Sequence, residues 1–295
     1  MVLETVGVVI PVYRGKAFLG RALEGALGQT GVAVAVVVVE DGTPPPDDAA
    51  GLVAQYPVHY VALPENRGVA YARHYGASEL SQTVTALAFL DQDDWWEPGF
   101  LAAAVRTLRA APDVGFVVSE ARVEEAGGGR LLYAPRRPTL RLGDLAVANQ
   151  IATPSQVVIR AAAYRSLPVL PSLQHPGSDD WLLWLLLLTA GWRAAYLPDP
   201  WVHYRDHPAG VHHQVAKLQA SEREVVAEWF PRLGLGPHWA RRHWAREGVD
   251  RLRAAWDHDG LAGALGVFGA ELRRDPRAFL WAIGFRLRHR LHGEV

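Results

Sequence analysis

The stretch TALAFLDQDD at residues 85–94 runs from continuous apolar sequence straight into acid. Residues 86–90 are apolar without alternation, the mark of a strand buried on both faces. Asp91, Asp93 and Asp94 follow at once, so three carboxylates stand at the carboxyl end of that strand. In open α/β sheets, ligands bind outside the carboxyl ends of the strands.

The same grammar repeats outward. Residues 6–12 form a β-branched run ending in Pro11-Val12. Residues 18–29 carry Leu19, Ala22, Leu23, Ala26 and Leu27 at helical spacing. Residues 32–39 are a second buried strand, stopped by Glu40-Asp41-Gly42. A Pro44-Pro45-Pro46 loop, a helix over 49–56, a strand over 59–63, a helix over 68–80 and a helix over 98–111 complete an alternation of strands and helices. The alternation predicts an α/β fold, with a mostly parallel central sheet flanked by helices. Farther on, strands are expected over 114–122 and 130–133 around Gly127-Gly128-Gly129, and over 156–160, 194–197 and 201–204. A helix is expected over 178–190. From 215 the periodicity is helical, broken near 231–237 and 274–276.

Composition narrows the classes. The 295 residues carry a formal net charge of -1, which gives no reason to expect a nucleic-acid partner. The chain has no cysteine, which excludes a thiolate nucleophile, a disulfide framework and a zinc-thiolate site. The most apolar run, 181–189, is too short to span a bilayer and reads as a buried helix. Residues 1–12 show no charged leader or cleavage pattern, so a cytoplasmic chain is expected.

Four segments carry candidate chemistry. Two carboxylates one residue apart at a strand end, Asp91 and Asp93, suit a hard divalent cation that neutralises a departing diphosphate; alone, such a pair is more often a solvated loop. Glu40 and Asp41 end a second strand, where a carboxylate can accept from a base N–H or merely cap a turn. Ser178-Asp179-Asp180 opens a helix, either as a cap or as the source of a general base. His203-Tyr204-Arg205-Asp206-His207 offers Arg205 to phosphate and His207 to a metal.

These pieces occur in one order: VVIPVY at 8–13, LGQT at 27–30, VVEDGT at 38–43, Asn66-Arg67-Gly68 with Ala72-Arg73, FLDQDD at 89–94 followed by Pro98, SDDWLLW at 178–184, and Tyr204-Arg205-Asp206-His207. The ordered set, over about residues 5–210, resembles the family 2 glycosyltransferases of the GT-A fold. The resemblance implies an inverting transfer of sugar from a nucleotide-diphosphate donor, a UDP-sugar by family analogy, to a hydroxyl of a glycan or lipid-linked glycan, assisted by Mn2+ or Mg2+. It places Pro11 and Tyr13 at the nucleotide, Asp41 or Glu40 at the base edge, and Arg73 near the nucleotide. Asp91 falls at ribose or diphosphate, Asp93 at the metal, Asp180 as base, and Arg205 and His207 over the diphosphate, His207 as a metal ligand. Residues 1–214 would be the catalytic domain, with the donor side at 1–97 and the acceptor side at 98–214; 215–295 would be a helical extension. Glu40 departs from the usual Asp, Arg14 from the usual Asn, His74 from the usual Asn and Asp179 from the usual Glu.

Other readings stay open. A nucleotidyltransferase would use Arg14 and Lys16, although no G-x-G-x-x-G follows the first strand. A binding or scaffold protein would have lost catalysis. Trp229, Trp239, Trp244 and Trp256 suggest packing on the catalytic domain or on a second subunit, hence a homodimer. The tail over 279–291, with Arg286, Arg288 and Arg290, suggests peripheral contact with anionic lipid at the inner membrane face.

Overall fold

A computed structural model describes residues 3–125, 128–132, 140–168, 173–207 and 214–291; for 125, 128 and 286–291 it describes the backbone alone. Gly127 and Tyr133 lie outside the described residues, as do the side chains of Arg286, Arg288 and Arg290.

The first half reads β1 (Thr5–Val12), α1 (Lys16–Leu27), β2 (Ala33–Asp41), α2 (Ala50–Val53), β3 (His59–Leu63), α3 (Val69–Glu79), β4 (Ala86–Phe89), β5 (Trp95–Trp96) and α4 (Phe100–Ala110). Strands β3, β2, β1 and β4 pair in parallel in that order, with Ile10 opposite Val38 and Val9 opposite Phe89. Period-two alternation sends their side chains into two cores. Val8, Ile10, Val38 and Ala88 pack with Leu19, Leu23, Phe100 and Leu101 of α1 and α4. Val9, Val39 and Phe89 face the opposite layer, built around Ala72 of α3. Each fully buried Val, Leu or Phe contributes roughly 1.5–3 kcal/mol.

The second half adds β6 (Val114–Glu125), β7 (Gly128–Leu131), α5 (Leu142–Val147), β8 (Val157–Arg160), α6 (Ala161–Arg165), α7 (Asp179–Thr189) and β9 (Arg193–Arg205). Here the sheet turns mixed. β8 runs antiparallel to β4 and β6, β9 runs parallel to β6, and β5 closes the edge antiparallel to β9. The two short strands expected over 194–197 and 201–204 are one strand. Pro198 and Pro200 deny it ladder donors, and its register against β6 shifts between Ser119 and Ala121. Helix α7 is buried nearly all round, from Trp181 to Leu187, as its unbroken apolar sequence requires.

Beyond residue 215 lie α8 (Val215–Glu224), a π-type turn (Val225–Trp229), α9 (Phe230–Arg232), α10 (Pro237–Arg274) and α11 (Pro276–Leu291). Gly260, at φ 66° and ψ -153°, breaks α10 into two helices in series. Val225, Val226, Trp229 and Phe230 belong to the same core as α5 and α7, so this part of the extension packs on the sheet-bearing layer. Trp239 lies against Gly143 of α5, where a Cβ would approach its ring to 2.4 Å. Among the described residues, no helix is long and apolar enough to cross a membrane.

Candidate functional site

The carboxyl ends of β1, β2 and β4 meet at one edge of the parallel half-sheet. Gly42 makes the turn after β2 possible. It sits at φ 73°, and a Cβ there would lie 2.3 Å from the backbone nitrogen of Asn66. That closeness brings the 66–68 loop onto Asp41. The Arg67 N–H donates to Asp41 Oδ1 (2.8 Å) and the Gly68 N–H to Oδ2 (2.9 Å). Asp41 therefore holds the amino end of α3. Its neighbour Glu40 accepts from the Ala49 N–H through Oε2 (2.8 Å), while Oε1 is buried without a hydrogen-bond partner. Burial pushes the Glu40 carboxyl up.

Gln92 ties β1 to β4. The Tyr13 N–H donates to Gln92 Oε1 (2.9 Å), and Gln92 Nε2 donates back to the Tyr13 carbonyl (3.3 Å). Tyr13 stays exposed beside the acidic loop, and Pro11 is buried in register with Val39. Arg14 adopts φ 51°, a left-handed conformation that Asn accepts more readily than Arg.

The acidic loop divides its labour. Arg73 of α3 donates to Asp91 Oδ1 (2.5 Å). The His207 Nε2 pairs with Asp93 Oδ2 at 2.8 Å. Asp94 is a buried anchor. It accepts from the Arg205 N–H (3.1 Å) and the Thr153 hydroxyl (2.8 Å). Burial, and then repulsion from Asp93 and Asp91, holds the Asp94 carboxyl well above the usual carboxylate range. Asp93 is pushed up by burial and by Asp91, against the opposing pull of His207.

Sequence reasoning left Asp94 without a role and missed its partners. The signal for Thr153 was present: Thr153-Pro154-Ser155-Gln156 is a capping box with proline at its start. It seats Ser155, whose hydroxyl oxygen accepts from the Asp91 N–H (3.0 Å). A second missed group is the aromatic floor. His207 stacks on Phe18 (5.4 Å), and the Arg205 guanidinium lies 5.2 Å from both the Phe18 and Trp95 rings. His203 stacks on Trp95 at 4.8 Å and bridges Glu97 and Glu124, each at 2.7 Å. These contacts fix the end of β9, and with it Arg205 and His207.

Asp180 stands at the first turn of α7 and accepts from the Trp181 N–H (2.7 Å). Burial lifts its carboxyl to about 6, although the positive charge of Arg73 pulls the other way. Asp179 accepts from the Gly177 N–H (3.2 Å) and is also pushed up by burial. Arg73, His74, Asp179, Asp180 and Trp184 line one small pocket of about 10 Å³. The structure thus brings Arg73, Asp91, Asp93, Arg205 and His207 together, and sets Asp180 across Arg73 from Asp91. Glu40 and Asp41 stand at the neighbouring strand end, bound to backbone.

The donor set around Asp93 fits a hard cation. Carboxylate oxygens and one imidazole are offered, and the Asp91–Asp93 repulsion is of the kind a bound cation relieves. Among the described residues, no three such side chains form a closed metal cage. One or two carboxylates suffice for a cation that shares substrate phosphates.

Comparison with known proteins bears on the fold and the family. Two curated bacterial proteins match at their sequences' shared segment. The glycosyltransferase GlyA of Streptococcus pneumoniae is 29% identical over 114 residues, covering 37% of this chain and 16% of that protein. The succinoglycan biosynthesis protein ExoO of Rhizobium meliloti is 37% identical over 106 residues, covering 35% of this chain and 29% of that protein. The match therefore spans less than a third of either relative. Among solved structures, S. aureus TarS 1-349 in complex with UDP-GlcNAc superposes with a TM-score of 0.62 at 15% identity, covering 77% of this chain and 67% of that one. The mannosyltransferase PcManGT of Pyrobaculum calidifontis, in complex with GDP-Man and Mn2+, gives 0.61 at 21% identity, covering 96% and 79%. Both likenesses establish the GT-A fold. The family model described as glycosyl transferase family 2 matches residues 7–166, more than half of the chain, and the chain belongs to that family.

Proposed function

We propose that this chain transfers a sugar from a nucleotide-diphosphate donor to an acceptor hydroxyl of a glycan or lipid-linked glycan, by a single displacement that inverts the anomeric carbon. Arg73 carries the reading. Its guanidinium is bonded to Asp91, and its charge acts on Asp179 and Asp180, so one buried cation joins the donor-side carboxylate to the candidate base. Asp180, with a carboxyl near 6, is ionised at neutral pH yet basic enough to take a proton.

In this reading the acceptor oxygen forms its new bond to the anomeric carbon while its proton passes to the Asp180 carboxylate. The bond from that carbon to the diphosphate oxygen breaks, and the nucleoside diphosphate leaves. Arg205, held over Phe18 and Trp95, faces the departing charge. Asp93 and His207 would hold Mn2+ or Mg2+, which supplies Lewis-acid neutralisation of the diphosphate. To hold it, His207 Nε2 and Asp93 Oδ2 would give up the hydrogen bond between them. Tyr13 offers a ring to the base. Asp41 accepts one backbone amide on each oxygen and keeps a lone pair on each for a base N–H; buried Glu40 is the lesser alternative. We assign uridine as the base; the two structural neighbours hold uridine and guanosine diphosphate sugars respectively.

Calorimetry with UDP and GDP, with and without Mn2+, tests the reading. Metal-dependent binding of one nucleotide, lost in Asp93→Ala, is expected. Absence of binding by either nucleotide under any metal condition would refute it.

A further inference from the structure

The sequence from Gly260 to Ala270, GLAGALGVFGA, carries no charge, and it forms the helix that follows the break in α10. One side of that helix is satisfied. Ala264 is buried, and Phe268 meets Phe279 of α11 edge-on at 5.7 Å. The other side is not. Leu261 is 61% exposed and Leu265 59%, with Ala262 and Gly266 exposed beside them. At 100° per residue, positions 261, 262, 265, 266, 269 and 273 fall within about 140° of arc, so they form one face. On α11, Leu280 is exposed one turn after Arg277. The tail arginines pointed to α11 as the apolar face, but Phe279 and Ala282 of that helix are buried.

On its α11 side this face is flanked by positive charge. Arg273, Arg274 and Arg277 are exposed and, among the described residues, form no ion pair. The acids near the face are engaged: Asp257 pairs with Arg253 at 3.8 Å, Asp259 with His258 at 2.8 Å and Glu271 with Arg251 at 2.7 Å, and Asp275 Oδ1 accepts from the Ala278 N–H at 3.0 Å. An anionic surface meets the same residues with complementary charge, and its acyl boundary accepts the leucines.

We propose that the helical hairpin formed by the second part of α10 and by α11 is a membrane-docking surface, which lies in the plane of an anionic lipid interface with Leu261, Leu265 and Leu280 buried in it and Arg273, Arg274 and Arg277 at the headgroups. The assignment stands apart from the donor reading. The test is co-sedimentation of the full chain with vesicles of phosphatidylglycerol mixed with phosphatidylcholine, against phosphatidylcholine alone. Binding to the mixed vesicles, weakening as salt rises, is expected. Leu261→Asp with Leu265→Asp, and separately Arg273→Glu with Arg274→Glu, should each weaken it by about tenfold or more. UDP affinity should not change in either variant. No preference for the anionic vesicles, or variants that bind as the parent does, would overturn the proposal. So would a dimer by light scattering that Leu265→Asp dissolves while vesicle binding persists.

Discussion

Asp180→Asn should make the protein more stable and inactive at once. The Asp180 carboxyl titrates at about 6 in the fold against an ordinary 3.8, chiefly because burial penalises its charge. The fold therefore holds this proton more tightly than the unfolded chain does. The stabilisation from the protonated group is fully present below about pH 4 and is lost as pH rises through about 6. The gap, 6 - 3.8, is about 2 units, or a ceiling of about 3 kcal/mol. Asparagine keeps the Oδ1 that accepts from the Trp181 N–H and never ionises. At pH 7 the variant should gain about 1–3 kcal/mol, raising the melting temperature by roughly 2–4 °C per kcal/mol. Melting curves of parent and variant across pH 4–7 measure this, with the gap closing toward pH 4. Turnover should vanish in the variant while donor binding is retained. In the parent, about a tenth of Asp180 is ionised at pH 5 and about nine-tenths at pH 7, so turnover should rise nearly tenfold over that span. A variant that melts below the parent at pH 7, or a gap independent of pH, would refute the desolvated carboxylate. Persistent turnover would refute the base.

Arg14→Asn should stabilise the chain by about 0.5–1 kcal/mol, read as a higher urea midpoint, because Asn tolerates the left-handed φ of 51° at this position. His243 is buried, donates from Nδ1 to the Val147 carbonyl and leaves Nε2 without a partner; burial first, then Arg246, lowers it to about 4. Through His243 alone, about 3 kcal/mol of stability is then lost as pH falls from 6.5 to 4, opposing the gain from Asp180 over the same range. His243→Phe should remove that loss, so its urea midpoint should rise relative to the parent as pH falls from 6.5 to 4.

What was legible in the sequence follows from what is local. The run into Asp91-Gln92-Asp93-Asp94 could be placed because five apolar residues and a strand end are properties of one segment. The α/β alternation, the buried α7 and the breaks near 231–237 and 274–276 are local in the same sense. The role of Asp94 was not legible, because its partners Thr153 and Arg205 lie 59 and 111 residues away. The strand at Trp95-Trp96 is too short for any periodicity to register. That Asp41 also holds the amino end of α3 was not legible, because its amide donors Arg67 and Gly68 lie 26 and 27 residues away. Strand β9 was read as two pieces because Pro198 and Pro200 carry the same signal as a loop.

The helices after residue 215 bear directly on the base. The Ser178 N–H, two residues before Asp180, donates to Ser221 Oγ (2.9 Å), and Glu224 accepts from the N–H groups of Gln174 and His175 (2.8 and 2.9 Å). On the far side of Asp180, Trp181 stacks on His243 (5.3 Å, 21°) and donates from Nε1 to the Leu145 carbonyl (2.6 Å). Each of these bonds is worth only about 1 kcal/mol. Together they clamp both flanks of a residue whose placement must hold within about 0.5 Å to act on a bound hydroxyl. The family match ends at residue 166, whereas Asp180 and all but one of these contacts lie beyond it. On the proposed reading, Arg73, Asp91 and Asp93 on the donor side lie within the matched segment, whereas Arg205 and His207 are brought to them by β9 from beyond it. On the same reading the acceptor side is built from α7 and the helices packed against it, so a change of sequence there should alter acceptor geometry without disturbing Asp91 or Asp93.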